Sequence, residues 1–100
     1  HILLRIAAIE AQYLNKPKQA IQLLETHRRM QNASPEVYKM LIDLYIKEQK
    51  IDRILEVYRA LYEKDPKPEY LNKIIEIYIY NRNFTALIKF LESNHANDEI

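Results

Sequence analysis

The chain of 100 residues contains no glycine and no cysteine. Phosphate-binding loops need glycine where the backbone approaches the phosphate, so both the GxGxxG motif and the P-loop are excluded. The absence of cysteine excludes disulfides, thiolate zinc sites and cysteine nucleophiles, and it leaves the cellular compartment open. These absences narrow the possible chemistry without indicating where the protein works.

Neither the charge nor the apolar runs of the sequence indicate a membrane or a nucleic-acid partner. Lys and Arg number 15 against 14 Asp and Glu, so the net charge is +1 and no overall field attracts polyanions. The densest apolar run, residues 74–80, is interrupted by Glu76 and is far shorter than the ~20 residues of a membrane span. We therefore expect no membrane insertion and no strong general affinity for nucleic acid.

Short clusters of turn residues divide the chain into segments with helical periodicity. In residues 51–64, for example, apolar residues recur at i, i+3, i+4 and i+7. Ser34, Pro35 and Glu36 are typical of a helix start, with a hydroxyl N-cap, a proline in the first turn and an acid near the positive end of the dipole. The sequence predicts an all-α fold without strands, with six helices at 2–14, 17–31, 35–48, 51–64, 69–81 and 84–94.

Self-comparison groups the six helices into three similar pairs. Aligning Pro17 with Ile51 and Phe84 gives offsets of 34 and 33 residues. A two-helix unit repeated at this period predicts an α-solenoid, in which each pair is stabilised by its neighbours, and a closed helical bundle is the competing arrangement. The aligned columns are Leu4 with Tyr38 and Leu71; Ala7 with Leu41 and Ile74; Ala11 with Tyr45 and Tyr78; Ala20 with Ile54 and Leu87; Ile21 with Leu55 and Ile88; Leu24 with Tyr58 and Leu91; and, at the turns, Asn15 with Gln49 and Arg82.

These features resemble the tetratricopeptide repeat family over the whole chain, as three degenerate copies at about 1–34, 35–67 and 68–100. The resemblance rests on the period, on Tyr45 and Tyr78 in the first helices, on Ala20 in a second helix and on Asp65 followed by Pro66. It implies one domain built as a right-handed superhelical stack of three antiparallel helix pairs, as a piece of a longer repeat protein.

Two columns depart from the family pattern. The family favours a small residue where this chain has Ala8, Ile42 and Ile75, and an alanine where it has His27, Leu61 and Asn94. Bulky side chains at these positions predict a wider spacing between the helices.

The resemblance also implies a function. In the family, the first helix of each pair lines a concave surface that binds extended or helical peptides. We therefore expect a non-enzymatic scaffold for a protein or peptide partner, with no cofactor and no small-molecule substrate. Carried over column by column, the expected partner-binding residues are Arg5, Ile9, Gln12, Lys39, Asp43, Ile46, Asn72, Glu76, Ile79 and Tyr80.

No residue pattern indicates an active site or a metal site. His1, His27 and His95 belong to separate segments, and none has the spacing of an HExxH zinc motif. Ser34 and Ser93 are better explained as cap or turn residues, because a GxSxG elbow requires glycine. The acidic residues are scattered singly along the chain, so no carboxylate pair for acid–base catalysis is expected.

RNA binding is the alternative function. Residues 37–68 also resemble a pentatricopeptide repeat, through residues 37–43 and the closing Lys67 and Pro68. That family has a period of 35, and small hydrogen-bonding side chains occupy its base-reading column, where this chain has Met40 and Lys73. The near-neutral charge also lacks the basic footprint of an RNA-binding domain.

The tyrosines and the polar tail complete the expectations. Residues 93–100 are predicted to form a loop leading to a further helix, which would leave the last pair uncapped and able to self-associate through its exposed apolar face. We expect Tyr38, Tyr45, Tyr58 and Tyr78 in the core, and Tyr13, Tyr70 and Tyr80 outside it.

Overall fold

The six predicted helices are present in the structure, a computed structural model that describes residues 2–30 and 33–98, with the backbone alone for 95–98. The all-α prediction is confirmed, because these residues form six α-helices and contain no strand. His1, the predicted end of the second helix at residue 31, and residues 99–100 of the tail lie outside the described residues. The helices are α1 (Ile2–Ala8), which continues as a π-helix (Ile9–Tyr13), α2 (Pro17–Arg28), α3 (Pro35–Lys47), α4 (Ile51–Lys64), α5 (Pro68–Tyr80) and α6 (Phe84–Asp98).

Two local predictions at helix ends need correction. Residues 93–98 continue α6 instead of forming a loop, because no glycine or proline stops the helix there and Asn94 Nδ2 donates to Phe90 O at 2.8 Å. Ser34 does occupy the N-cap of α3, but its hydroxyl makes no capping hydrogen bond within the described residues. The start of α3 is thus fixed by Pro35 in its first turn and by Glu36.

The turns within the three helix pairs share one backbone conformation. Asn15, Gln49 and Arg82 have φ angles of 54°, 58° and 56°, the left-handed region that ends many helices. Lys50 N–H donates to Tyr45 O at 2.9 Å and Gln49 N–H to Ile46 O at 3.1 Å, the pair of bonds that defines a Schellman motif. The column of turn residues in the sequence therefore corresponds to a repeated structural feature.

The third pair repeats this motif and the first pair modifies it. Asn83 N–H donates to Tyr78 O at 2.9 Å, as Lys50 N–H does to Tyr45 O. In the first pair the last helical turn is widened into the π-helix, and Lys16 N–H donates to Glu10 O at 2.7 Å. This widened turn contains Ala11, in the column where the other two pairs have tyrosine.

Replacing Gln49 with glycine is expected to raise the free energy of unfolding by roughly 0.5–1 kcal/mol, because only glycine adopts the left-handed conformation without a Cβ penalty. Urea denaturation followed by circular dichroism measures the change. The matched control is Gln22→Gly, at an exposed position inside α2, which should cost about 1 kcal/mol. A loss of stability at both sites would contradict the turn geometry.

The helices form an elongated row in which neighbours in sequence are neighbours in space. Among the described residues, extensive helix packing joins consecutive helices, a smaller contact joins α1 with α3, and no extensive packing joins the first pair to the last. The molecule measures 46 × 29 × 18 Å, and its Cα radius of gyration is 14.7 Å. A compact domain of this length has a radius of gyration of about 13 Å, so the row is extended.

The apolar core follows this row as two clusters joined through α4. The larger cluster packs side chains from α1 to the start of α5, and the smaller one packs α5 against α6. Tyr58 and Tyr62 of α4 contact both clusters. The largest fully buried side chains are Leu24, Val37, Leu41, Val57, Leu61 and Ile74.

The tyrosine predictions are mostly confirmed, with one error. Tyr38, Tyr45 and Tyr78 are buried and Tyr58 is half-buried, while Tyr13 and Tyr80 are exposed. Tyr70 was expected outside the core and is only 5% exposed. It lies 33 residues after the fully buried Val37, so it shares a core column that the apolar pattern did not reveal. The six tyrosine positions apart from Tyr70 were thus assigned correctly from column and periodicity.

A network of hydrogen bonds and ion pairs connects α2, α3 and α4. Tyr45 Oη donates to Glu25 Oε2 at 2.5 Å, and Glu25 Oε1 lies 2.7 Å from Arg28 Nη2. The same Arg28 nitrogen lies 3.3 Å from Glu56 Oε1 on α4. Burial raises the pKa of Tyr45 well above its usual value, and the hydrogen bond to Glu25 raises it further.

The raised pKa of Tyr45 predicts a loss of stability in alkali. The buried, neutral Tyr45 hydroxyl makes its full contribution to the free energy of unfolding below pH ~10, where unfolded tyrosine is still neutral. This contribution is lost as the pH rises above that value. Above pH 10 the free energy of unfolding should therefore fall less steeply with pH in the Tyr45→Phe variant than in the unmodified chain, by up to about 1.4 kcal/mol per pH unit. The control is Tyr13→Phe, at an exposed tyrosine, whose free energy of unfolding should depend on pH as that of the unmodified chain does. Identical slopes for the two variants would contradict the raised pKa of Tyr45.

Candidate partner-binding groove

All ten expected partner-binding residues are exposed, and they lie on α1 with its π-helix, on α3 and on α5. Four of them are large apolar side chains, which are usually buried. Ile9 is 49% exposed, Ile46 55%, Ile79 50% and Tyr80 76%. The first helices therefore expose apolar side chains at the positions that the repeat columns selected.

Three adjoining cavities open between these helices. The first, of about 290 Å³, lies between the π-helix and α3, and the second and third, of about 320 and 630 Å³, lie between α3 and α5. Asp43 lines the first and second cavities, Ile46 the first and third, and Tyr58 and Lys73 the second and third. Because they have these lining residues in common, the three cavities adjoin one another, and we call them together the first-helix groove.

One repeat column contributes to two of the groove cavities. Ala8 lines the cavity between the π-helix and α3, and Ile42, 34 residues later, lines the cavity between α3 and α5. Ile42 is buried, and α3 and α5 do not pack extensively against each other. The wider helix spacing that the bulky side chains of this column predict stays a prediction.

Most of the expected residues line this groove, and three do not. Arg5, Ile9 and Asn72 are exposed but contribute to none of the three cavities. The seven that line it are Gln12, Lys39, Asp43, Ile46, Glu76, Ile79 and Tyr80.

The floor of the groove was not predicted. Ile51, Ile54 and Tyr58 of α4 form part of the lining of the third groove cavity, although they belong to a second helix. Ile54 and Tyr58 belong to columns that were expected in the core, whereas Ile51 is itself 37% exposed. They line the cavity because α3 and α5 do not pack extensively against each other. The sequence carries no direct signal for this floor, because the columns do not specify the distance between α3 and α5.

The largest of the three groove cavities has an apolar floor and a charged edge. Its lining includes Ile46, Ile77 and Ile79, whereas Lys73 and Glu76 stand at its rim with Nζ and Oε2 3.6 Å apart. Both charged side chains are more than half exposed, and a surface pair of this kind contributes little, so both remain available to a ligand. An apolar centre with a polar rim is the usual anatomy of a protein interface.

Tyr58 supplies a polar group within this apolar floor. Burial raises the pKa of its hydroxyl, and the carboxylates of Asp43 and Glu76 raise it further. Like any tyrosine hydroxyl it is protonated at neutral pH, and the raised pKa keeps it a hydrogen-bond donor further into the alkaline range.

Outside the groove, a larger cavity of about 780 Å³ lies between α4, α5 and α6 and involves none of the expected residues. Its wall is built by packed rings, since Tyr78 and Phe90 have centroids 5.9 Å apart and Arg59 Cζ lies 5.6 Å above the Phe90 ring. Although larger in volume, it does not belong to the first-helix groove.

The search for other kinds of site covered the described residues. Within 2–30 and 33–98, no group of three or more His, Cys, Asp or Glu side chains is placed to hold a metal ion. In the same part of the chain, no helix has the length and apolar character needed to cross a bilayer.

Comparison with known proteins supplies no family for this chain. No protein-family model, curated protein or solved structure matches it. The repeat pattern and the first-helix groove are therefore the observations from which a function is inferred.

Proposed function

We propose that this chain is a tetratricopeptide-like helical repeat scaffold, without enzymatic activity, that binds a protein or peptide partner in the first-helix groove. The observation that carries the proposal is the set of three adjoining cavities along the first helices, lined by apolar side chains and by charges of both signs. Seven residues chosen by their repeat columns line it, which supports a common role for those columns.

The groove is formed before any partner arrives. The helices α3 and α5 form its walls, and their side chains Leu41 and Ile74 are completely buried in the core. Rigid walls lose little conformational freedom on binding, so more of the interaction free energy appears as affinity. Apolar surface removed from water contributes roughly 25 cal/mol per Å², and Ile46, Ile79 and Tyr80 present such surface to a ligand.

The lining defines the chemistry of the partner. The aliphatic floor suits an apolar segment, and Tyr80 offers a large flat side chain of the type that dominates binding energy at interfaces. Lys39 and Lys73 stand near Asp43 and Glu69 around the second cavity, so the rim suits a segment flanked by charges of both signs. The partner we propose is an apolar peptide or helix with charged flanks.

Selection from a displayed library of random peptides tests the proposal. The molecule is 46 Å long, which about 14 extended residues span, so the library should use peptides of this length. When a selected peptide is titrated into the ¹⁵N-labelled chain, we expect amide shifts concentrated at Ile46, Lys73 and Ile79.

Two results would overturn the proposal. One is a set of shifts confined to α2 and α6, outside the groove. The other is displacement of the peptide by single-stranded RNA at low salt with shifts in the same groove residues, which would favour the RNA-binding alternative.

A further inference from the structure

The second cavity of the groove, of about 320 Å³, is lined by a carboxylate from each of its two first helices. Asp43 lines it from α3 and Glu69 from α5, and both residues are exposed. Within residues 2–30 and 33–98, neither carboxylate forms an ion pair or a hydrogen bond. Both negative charges are therefore available to a ligand.

The same cavity is lined by a buried tyrosine whose hydroxyl is available as well. Tyr70 is only 5% exposed, and its Oη makes no hydrogen bond to any residue that the structure describes. Tyr70 is one of the groups that raise the pKa of Tyr58, another lining residue, and the hydroxyl is its only ionisable group. The hydroxyl of Tyr70 therefore lies toward the cavity. Buried polar atoms are usually hydrogen-bonded, so this oxygen is a candidate ligand contact.

The charges around the second cavity favour a cation. Burial is the main cause of the raised pKa of Tyr58, and the next largest contributions include the carboxylates of Asp43, Glu76 and Glu69. All of these contributions raise the pKa, which means that the hydroxyl of Tyr58 lies in a negative potential. A cationic ligand group is stabilised by the same potential.

The two lysines that line the cavity leave its carboxylates unpaired. Lys73 follows Glu69 by one helical turn, but its Nζ lies 3.6 Å from Glu76 Oε2 instead. Lys39 precedes Asp43 by one turn, which is the less favourable order for a helical ion pair, and no ion pair joins these two residues. The site is therefore accessible to a cation from outside the chain.

We propose that the second cavity receives an arginine side chain of the bound peptide, an inference that rests on the proposed function of the groove. A planar guanidinium carries several N–H donors and pairs with carboxylates through parallel hydrogen bonds. In the second cavity it donates to Asp43 and Glu69 and to the hydroxyl oxygen of Tyr70. Within the described residues no cluster of acidic or histidine side chains can hold a metal ion, which favours an organic cation.

The position of this cavity also defines what stands next to the arginine. Tyr58 and Lys73 line both the second and the third cavity, so the two cavities adjoin. Peptide residues beside the arginine therefore reach Ile46 and Ile79 in the third cavity. The partner sequence we infer is an arginine next to apolar residues.

Titration of N-acetyl-arginine methylamide into the ¹⁵N-labelled chain tests the cavity without a peptide. The matched probes are the citrulline derivative, which has nearly the same shape without the charge, and the glutamate derivative, which is an anion. We expect the arginine derivative alone to shift the amides of Asp43, Glu69 and Tyr70, with a dissociation constant of roughly 1–10 mM. Absent shifts, or equal shifts from either of the other probes, would overturn the proposal.

Charge-removing variants distinguish a cation site from an anion site. The double variant Asp43→Asn with Glu69→Gln should weaken the arginine derivative about tenfold or more, because hydrogen bonds to charged groups are lost. Lys39→Gln is the control in the same cavity and should bind the probe at least as tightly as the unmodified chain. All three positions are exposed, so helicity should not change. Weaker binding by Lys39→Gln with unchanged binding by the double variant would overturn the proposal.

Tyr70→Phe tests the buried hydroxyl. The substitution removes a group that has no hydrogen bond within the described residues, so the urea midpoint of the chain should not fall. The affinity for the arginine derivative should fall roughly three- to tenfold. A lower midpoint with unchanged affinity would show that the hydroxyl serves the fold and not the ligand.

A groove-selected peptide connects the cavity with the proposed function. Each arginine of the peptide is replaced by citrulline in turn, and one replacement should weaken binding about tenfold. The variant Asp43→Asn with Glu69→Gln should be insensitive to that replacement. Groove binding that survives every replacement would overturn the arginine site and leave the proposed function standing. If no peptide binds the groove, the proposed function fails, and the arginine derivative still decides whether the cavity binds a cation.

Discussion

Replacing Leu41 with alanine is expected to lower the free energy of unfolding by about 2–5 kcal/mol. Leu41 is completely buried in α3, which packs against α1, α2 and α4, so the cavity left behind lies where several helices meet. Small domains have only about 5–15 kcal/mol of total stability, and this one change therefore removes a large part of it. Urea denaturation followed by circular dichroism measures the loss.

The control for this substitution is the same change at an exposed leucine. Leu14 is 55% exposed at the turn after the π-helix, so Leu14→Ala should shift stability by no more than about 0.5 kcal/mol. Equal losses for the two variants would show that the column of Ala7, Leu41 and Ile74 does not form the core.

The double variant Tyr80→Ala with Asp43→Lys is expected to weaken a groove-selected peptide about 30-fold or more. Truncating a central aromatic residue of an interface commonly costs about 2 kcal/mol, which corresponds to this factor. Tyr80 lines the largest of the three groove cavities and Asp43 lines the other two, so the pair affects the whole groove. Isothermal titration calorimetry measures the affinity, and helicity should be unchanged because both side chains are exposed.

Tyr13→Ala is the matched control for the groove variant. Tyr13 is 79% exposed, as Tyr80 is 76% exposed, but it lines none of the groove cavities. Its removal should leave peptide affinity unchanged. An equal loss for Tyr13→Ala and the double variant would place the binding surface elsewhere.

The repeat columns predict the fold well because they record two local requirements. Apolar residues at a fixed place in each pair face the neighbouring helices, as Leu41 and Ile74 do. Turn residues at a fixed place adopt one left-handed conformation, as Gln49 and Arg82 do. Both requirements recur at the same place in every pair, so they can be read from the order of residues along the chain.

Features that depend on contacts over longer distances were predicted less well. Tyr70 is buried because it contacts the main cluster at the start of α5, although its side chain can also suit an exposed position. The contribution of Tyr58 to the groove depends on the distance between α3 and α5, which the columns do not specify. The extension of α6 beyond residue 94 shows that a polar composition does not by itself end a helix.

The row of stacked helix pairs can be tested directly by distances between spin labels. The chain has no cysteine of its own, so Lys18→Cys, Asp52→Cys and Thr85→Cys can be labelled two at a time. These exposed positions share one column and are the second residues of α2, α4 and α6. Dilution with unlabelled chain removes distances between copies.

Double electron–electron resonance on the three label pairs then gives three distances. A row of stacked pairs predicts that the distance from position 18 to position 85 is close to the sum of the 18–52 and 52–85 distances. Three similar distances would instead indicate helices closed around a common centre, and they would contradict both the stack and the groove on its first helices.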